Sequence, residues 1–328
     1  MDVDRSRPHL RVAAPDDGVV VPAAFARGWP TACAALTTVD APSLVVVAVG
    51  DGQVLAPALV ITAERDQPQI ATVGRHRACA LPLPTEASLA RRHLAIVVEP
   101  RGGGREVRAR VLDLDTADGL LAEDGEPGRS LSLDGPTLVR AGGVTLVLVP
   151  TTGDDAWPIE PAAAWARLPP RRVLDAVDDE PAALPRRLAH GTDAPATEAA
   201  PRVTTVRLGP APLRREIGAP ASGPAGRLRG RLAIAGAPAI LVDDAAATAG
   251  VLVGRGSGHA LPALATAGIS RLHLLLLELG GRLWAFDVGS SHGTRRPGGA
   301  RAPSFALADG DELVLGEGLA RVRWAAAR

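Results

Sequence analysis

One sparse residue pattern occurs twice in this chain, and it constrains the fold more than any other feature. The C-terminal copy reads Gly254-Arg255, then Ser270-Arg271-Leu272-His273, then Asp287-Val288-Gly289-Ser290-Ser291-His292-Gly293-Thr294. The N-terminal copy reads Gly74-Arg75, then Ala90-Arg91-Arg92-His93, then Asp113-Leu114-Asp115-Thr116-Ala117-Asp118-Gly119-Leu120. Glycine precedes histidine by 19 residues in both copies, although many of the residues between them differ. A fixed interval over differing filler implies one architecture used twice. The copies part company at the polar positions best able to hold an anion.

Around each copy the chain reads as strands and turns. In the first stretch, residues 44–49 precede the turn signal Gly50-Asp51-Gly52, and apolar runs follow at 93–98, 107–112 and 145–149. Short Val-, Leu- and Ile-rich runs between Gly and Asp clusters predict strands of a sandwich or barrel. The pattern returns after residue 229, with runs at 232–234, Val251–Val253, Glu312–Leu315 and 319–324. Between them, 273–279 and 283–286 around Gly280-Gly281 predict a hairpin with a glycine turn.

The intervening stretch differs in kind. Prolines interrupt nearly every candidate element between 151 and 228, Pro169-Pro170 among them, which predicts a largely flexible linker. Short helical pieces are expected at 157–168 and 173–177, with Trp157 and Trp165 docking back onto the first unit. The predicted organisation is an unassigned extension over 1–42, a first unit at 43–150, the linker at 151–228 and a second unit at 229–328. Within the extension only Val19-Val20-Val21 reads as a strand.

Composition closes off several functions. The 36 basic residues are all Arg and balance 36 acidic ones, so bulk charge gives no drive toward nucleic acid. Every cation is thus a planar fork suited to carboxylate or phosphate. Cys33 and Cys79 are too few for a disulfide framework or a cysteine-rich zinc site. Apolar runs such as 43–49 are too short to span a bilayer, and the acidic start Met1-Asp2-Val3-Asp4 lacks a secretory pattern, so the setting is expected to be cytoplasmic with no membrane insertion.

The combined pattern resembles the forkhead-associated (FHA) domain. That family shows Gly-Arg, Ser-Arg-x-His, a Ser-Ser-Asn-Gly-Thr loop, and Asp-Gly-Asp with a glycine just after a strand. The C-terminal copy is similar nearly throughout, including Asp309-Gly310-Asp311 and Gly316. The N-terminal copy keeps Gly74, Arg75, Arg91, His93, Asp113, Gly119, Asp134-Gly135 and Gly142. The resemblance implies an all-β chain of two FHA-type β-sandwiches joined by a Pro/Ala-rich linker. It also implies phosphothreonine-peptide binding without catalysis, cofactor or metal. The partner would be a phosphothreonine-containing protein, such as a Ser/Thr kinase or its substrate, in a bacterial signalling pathway.

Phosphothreonine carries about −1.5 to −2 charge and three acceptor oxygens. A receptor therefore needs a guanidinium plus hydroxyl and backbone donors. Arg255 offers the fork and Ser270 the hydroxyl, with Gly254 turning the loop before them. Ser291 and His292 would approach the peptide backbone, where His292 replaces the family's Asn and alters peptide selectivity. Arg271 either touches the peptide or faces solvent. His273, Gly293 and Thr294 are expected to structure the loops. In the N-terminal copy Arg75 and His93 remain, but Ala90 has no hydroxyl, Asp118 would repel phosphate, and Leu120 replaces the loop Thr. That copy is expected to be intact in fold and unable to bind phosphothreonine.

Other readings fare worse. Gly254-Arg255-Gly256-Ser257-Gly258 lacks the Lys-Ser/Thr ending of a nucleotide loop. Asp309-Gly310-Asp311-Glu312 lacks calcium-loop spacing. Thr151, Thr152, Thr204 and Thr205 stand in polar surroundings where a kinase could modify them, although ordinary linker threonines explain them as well. The alternative to a phosphothreonine adaptor is a phosphate-independent scaffold in which both units serve assembly.

Overall fold

The computed structural model describes residues 21–133, 135–169, 227–234, 237–256, 269–318 and 320–327, with short strand pieces at 172–174, 181–183, 207–208 and 214–215. Asp134, Ser257, Thr204 and Thr205 lie outside the described residues, as do most of the linker prolines.

Four sheets stack face to face, with a helical layer on the outside. The first sheet is built on Ser43–Gly50 paired antiparallel with Val144–Thr151, in register from Ser43 opposite Thr151 to Gly50 opposite Val144. The second centres on Leu94–Val98 between Gln69–Gly74 and Ala109–Asp113. Side chains alternate along each strand. Leu44, Val46 and Ala48 therefore point inward against Leu94, Ile96 and Val98, forming one core. The third sheet contains Val251–Val253, Leu274–Leu279, Arg282–Asp287 and Ser304–Ala306. The fourth runs through Ala237–Asp243, Leu228–Ile234, Ala320–Ala326 and Glu312–Leu315. Between them Leu274, Leu276 and Ala285 meet Leu232, Val322 and Trp324 in a second core. The predicted hairpin is present, and Gly280 and Gly281 both take positive φ, 57° and 76°, as a tight two-residue turn requires.

The outward faces of three of these sheets are also covered. Val45, Val47 and Val49 pack under helix Val21–Leu36. Its buried residues Val21, Ala24, Phe25, Gly28, Trp29, Ala32 and Leu36 make a 3.6-residue stripe. Gly28 allows the helix to pack closely, because a Cβ there would stand 3.0 Å from Val49 Cγ2 and 3.3 Å from Val147 Cγ2. The strand expected at 19–21 is corrected here, since Val21 opens this helix and Val19 and Val20 lie outside the described residues. Helix Pro161–Arg167 joins the same layer. Trp165 meets Phe25 edge-on, Trp157 meets Trp29, and Trp29 Nε1 donates to the Pro158 carbonyl at 2.9 Å. The helix expected at 173–177 is not formed at its start, where Arg172–Leu174 pairs as a strand with Pro181–Ala183.

The second and third sheets pack on each other. Ala95, Val97, Leu112 and Leu114 meet Leu275, Leu277, Phe286 and Val288, so a third apolar layer joins the two sandwiches. Leu112 also closes on Gly250, where a Cβ would lie 2.9 Å from its Cδ2. Arg110 Nη1 bridges the sandwiches by donating to the Thr248 carbonyl at 2.8 Å. Cys33 and Cys79 are separate, buried thiols.

Candidate functional site

The loops carrying the repeated pattern are held by the same backbone bonds in both sandwiches. Arg255 N donates to Ser270 O at 3.2 Å and Gly256 N to Arg271 O at 2.9 Å, while Arg75 N donates to Ala90 O at 3.1 Å and His76 N to Arg91 O at 2.8 Å. Arg255 Nε donates to the Ile269 carbonyl at 2.7 Å, as Arg75 Nε does to Leu89 at 2.6 Å. Both arginines remain exposed beyond that anchor. Gly254 serves a different purpose from a tight turn. A Cβ there would stand 2.1 Å from the Arg271 carbonyl oxygen, so the glycine lets two loop backbones cross. A Cβ on Gly74 would likewise stand 2.7 Å from Arg91 O.

The histidines are architectural in their contacts. His93 Nδ1 accepts from Ala90 N–H at 3.1 Å, which leaves Nε2 as the donor toward the Gly119 carbonyl at 3.1 Å. His273 Nδ1 likewise accepts from Ser270 N–H at 3.3 Å. Its Nε2 is buried 3.8 Å from Asp287 Oδ2 and has no hydrogen-bond partner among the described residues. Burial pushes the His273 imidazole below its ordinary value, against the opposing pull of Asp287.

An aspartate organises the corresponding loop of each sandwich, and the sequence pattern contained both Asp287 and Asp113 without assigning them a role. Asp287 Oδ1 accepts from Gly289 N at 2.9 Å and Ser290 N at 2.6 Å. Its Oδ2 accepts from Ser290 Oγ and Thr294 Oγ1, both at 2.7 Å. Ser290 Oγ in turn accepts from Gly293 N at 2.9 Å. In the first sandwich Asp113 holds Thr116, and Thr116 Oγ1 accepts from Gly119 N at 3.2 Å. The signal was available, because Asp287, Ser290 and Gly293 repeat the spacing of Asp113, Thr116 and Gly119. Thr294 is buried and bonded within the loop, in keeping with a structural role.

The tips differ. Ser291 N–H donates to Ser270 Oγ at 3.0 Å, which ties the two recognition loops of the second sandwich together. Ala90 lacks the oxygen for an equivalent bond. Arg255, Ser270 and Ser291 are thus brought together, with Arg271 exposed beside them. His292 points to a group the sequence reading missed, its Nδ1 lying 3.2 Å from Glu317 Oε1. Asp118 is exposed at the corresponding tip of the first sandwich. Thr151 is buried, and its hydroxyl donates to Asp155 at 3.0 Å, so this threonine is packed rather than presented.

Among the described residues no group of three His, Cys, Asp or Glu side chains could hold a metal ion, and no helix is long and apolar enough to cross a membrane. No family model matches the chain, and no curated protein matches its sequence. Solved FHA structures do match. FHA-1 of Rv1747 from Mycobacterium tuberculosis is 23% identical over 31% of this chain and 100% of its own, with TM-score 0.25. The FhaA FHA domain, solved with the intracellular domain of Rv3910, is 30% identical over 23% of this chain and 78% of its own, with TM-score 0.20. The FHA domain of CT664 from Chlamydia trachomatis is 17% identical over 35% and 99%, with TM-score 0.26.

Proposed function

We propose that this chain, whose fold is the FHA-like β-sandwich, is a phosphothreonine-peptide-binding adaptor acting through residues 229–328. In this reading residues 43–150 are a second, degenerate FHA-like unit and 151–228 connect the two. The bond from Ser291 N–H to Ser270 Oγ carries the reading. A hydroxyl that accepts keeps its own proton to donate, so Ser270 is fixed in place and still able to give a hydrogen bond to phosphate. Arg255, anchored by Nε to Ile269, presents a guanidinium at the same loop crossing. Ser291, His292 and Arg271 then shape contacts with the peptide on either side. Gly254, His273, Gly293 and Thr294 hold the loops.

The function is binding rather than catalysis, and the partner is a protein marked by a Ser/Thr kinase in the cytoplasm. The first unit has Arg75 in place but offers Ala90 and Asp118 where a donor and a neutral group are needed. A second reading, phosphate-independent scaffolding by both units, draws on the apolar packing of three sheet faces outside the two cores. Fluorescence anisotropy with a phosphothreonine peptide and its unphosphorylated twin separates the two. Phosphate-dependent binding that is lost in Arg255→Ala supports the adaptor. Equal binding of both twins supports the scaffold.

A further inference from the structure

The loop ends of the two sandwiches meet at Arg92. This residue follows Ala90 and Arg91 in the first sandwich, yet its side chain lies against Gly289 in the recognition loop of the second. A Cβ on Gly289 would stand 2.8 Å from Arg92 Nε and 3.5 Å from Cζ. The packed layer between the sheets, Ala95 and Val97 against Leu275 and Leu277, fixes this juxtaposition. Arg92 Nε is buried with no hydrogen-bond partner among the described residues, whereas Arg75 and Arg255 each spend theirs on a carbonyl. Arg92 as a whole is only half-buried, and its guanidinium brings positive charge to the loop.

It does not stand alone. Arg77 and Arg91 are exposed on the same tip. Desolvation, and then the guanidiniums of Arg92, Arg91 and Arg77, push the His76 imidazole below its ordinary value. The other side of the recognition loop is mixed in charge, because Glu317 sits 3.2 Å from His292 while Arg301 packs against Gly293 and Arg295 Nη1 donates to the Gly316 carbonyl. The loop that would read the peptide therefore lies between a basic flank supplied by the first sandwich and a charge-compensated flank of its own.

We propose that the degenerate sandwich completes the ligand site of the other. Arg77, Arg91 and Arg92 receive carboxylate side chains on one side of the phosphothreonine, while the opposed charges of Glu317, Arg295 and Arg301 offer them no net attraction on the other. The degenerate unit is then a selectivity surface for asymmetrically acidic phosphopeptides. This inference rests on the phosphothreonine reading above.

The test uses the full chain and labelled peptides with one phosphothreonine, carrying neutral flanks, acidic residues only before it, or acidic residues only after it. One acidic arrangement binds about tenfold more tightly than the neutral peptide, as expected for a few partly exposed charge pairs. The other arrangement gains nothing. Arg77→Ala combined with Arg91→Ala, both at exposed positions, brings the preference below about threefold and leaves the neutral peptide unchanged. Arg92→Gln, which keeps most of the side-chain volume, acts in the same direction. Equal enhancement by both acidic arrangements overturns the proposal, as does a preference that survives these substitutions. If that happens while Arg255→Ala still abolishes binding of the neutral phosphopeptide, only the selectivity surface fails. Binding indifferent to phosphate and to Arg255 removes the underlying reading, and the proposal with it.

Discussion

Replacing Asp287 by Asn changes little in shape and tests whether one carboxylate organises the recognition loop. In the native loop Oδ1 takes two backbone N–H groups and Oδ2 takes two hydroxyls, at distances between 2.6 and 2.9 Å. The amide oxygen of Asn can retain the first pair. Its NH2 group then faces two hydroxyl donors. Both hydroxyls must then reverse and accept, Ser290 Oγ for a second time beside Gly293 N, and each O–H gives up its carboxylate acceptor. Hydrogen bonds to a charged group contribute about 1.5–3 kcal/mol each, against about 0.5–1.5 for neutral ones. Weakening or losing the Oδ2 pair should therefore cost about 2–4 kcal/mol. Urea denaturation of wild type and variant reads this loss, and hydrogen exchange at Gly289, Ser290 and Gly293 localises it. Phosphopeptide affinity should fall in parallel, because the peptide must then order a loosened loop. A change below about 0.5 kcal/mol, the usual range for surface substitutions, would refute the assignment of Asp287 as organiser.

Leu277→Ala removes a fully buried side chain from the layer between the sandwiches and should cost about 2–4 kcal/mol, measured by chemical denaturation. Acidification tests His273. Its folded value lies below the ordinary 6.5, so the unfolded chain takes the proton first, and stability is lost as pH falls from 6.5 through the folded value. Melting temperatures from pH 7.5 down to 5 should decline, and a flat profile across that range would contradict the buried neutral imidazole. Ala90→Ser with Asp118→Asn restores the missing hydroxyl and removes the repulsive charge in the first sandwich. In an Arg255→Ala background, calorimetry should then detect weak phosphothreonine binding that the parent lacks.

Much of the fold was legible because strand runs and glycine turns leave a local trace. The hairpin over Leu274–Leu279 and Arg282–Asp287 follows from its two apolar runs and Gly280-Gly281. Helix Val21–Leu36 was hidden by Pro22, Gly28 and Pro30, which read as breakers, although its apolar stripe was present throughout. Pro30 lies on the exposed side, and Gly28 faces Val49 at close approach. The packing of the two sandwiches left a subtler mark. A strand with one face in water alternates, yet Leu94–Val98 and Leu274–Leu279 are apolar at nearly every position, as strands covered on both faces must be. In the candidate site, Arg255 and Ser270 were named through the FHA-like pattern, and the backbone bond from Arg255 N to Ser270 O sets their loops side by side. The approach of Glu317 and Arg92 was not legible, because Glu317 belongs to no motif and Arg92 fills a variable position of the first copy yet reaches the loop of the second. The chain contains no Asn at all, which sets His292 beside a compositional absence as well as a functional change.

Binding stoichiometry tests the central claim most directly. Isothermal titration of a phosphothreonine peptide into the whole chain should give one site per molecule, abolished by Arg255→Ala and unaffected by Arg75→Ala. Two sites per molecule, or loss of binding with Arg75→Ala while Arg255→Ala retains it, would contradict the assignment of phosphate recognition to the second sandwich.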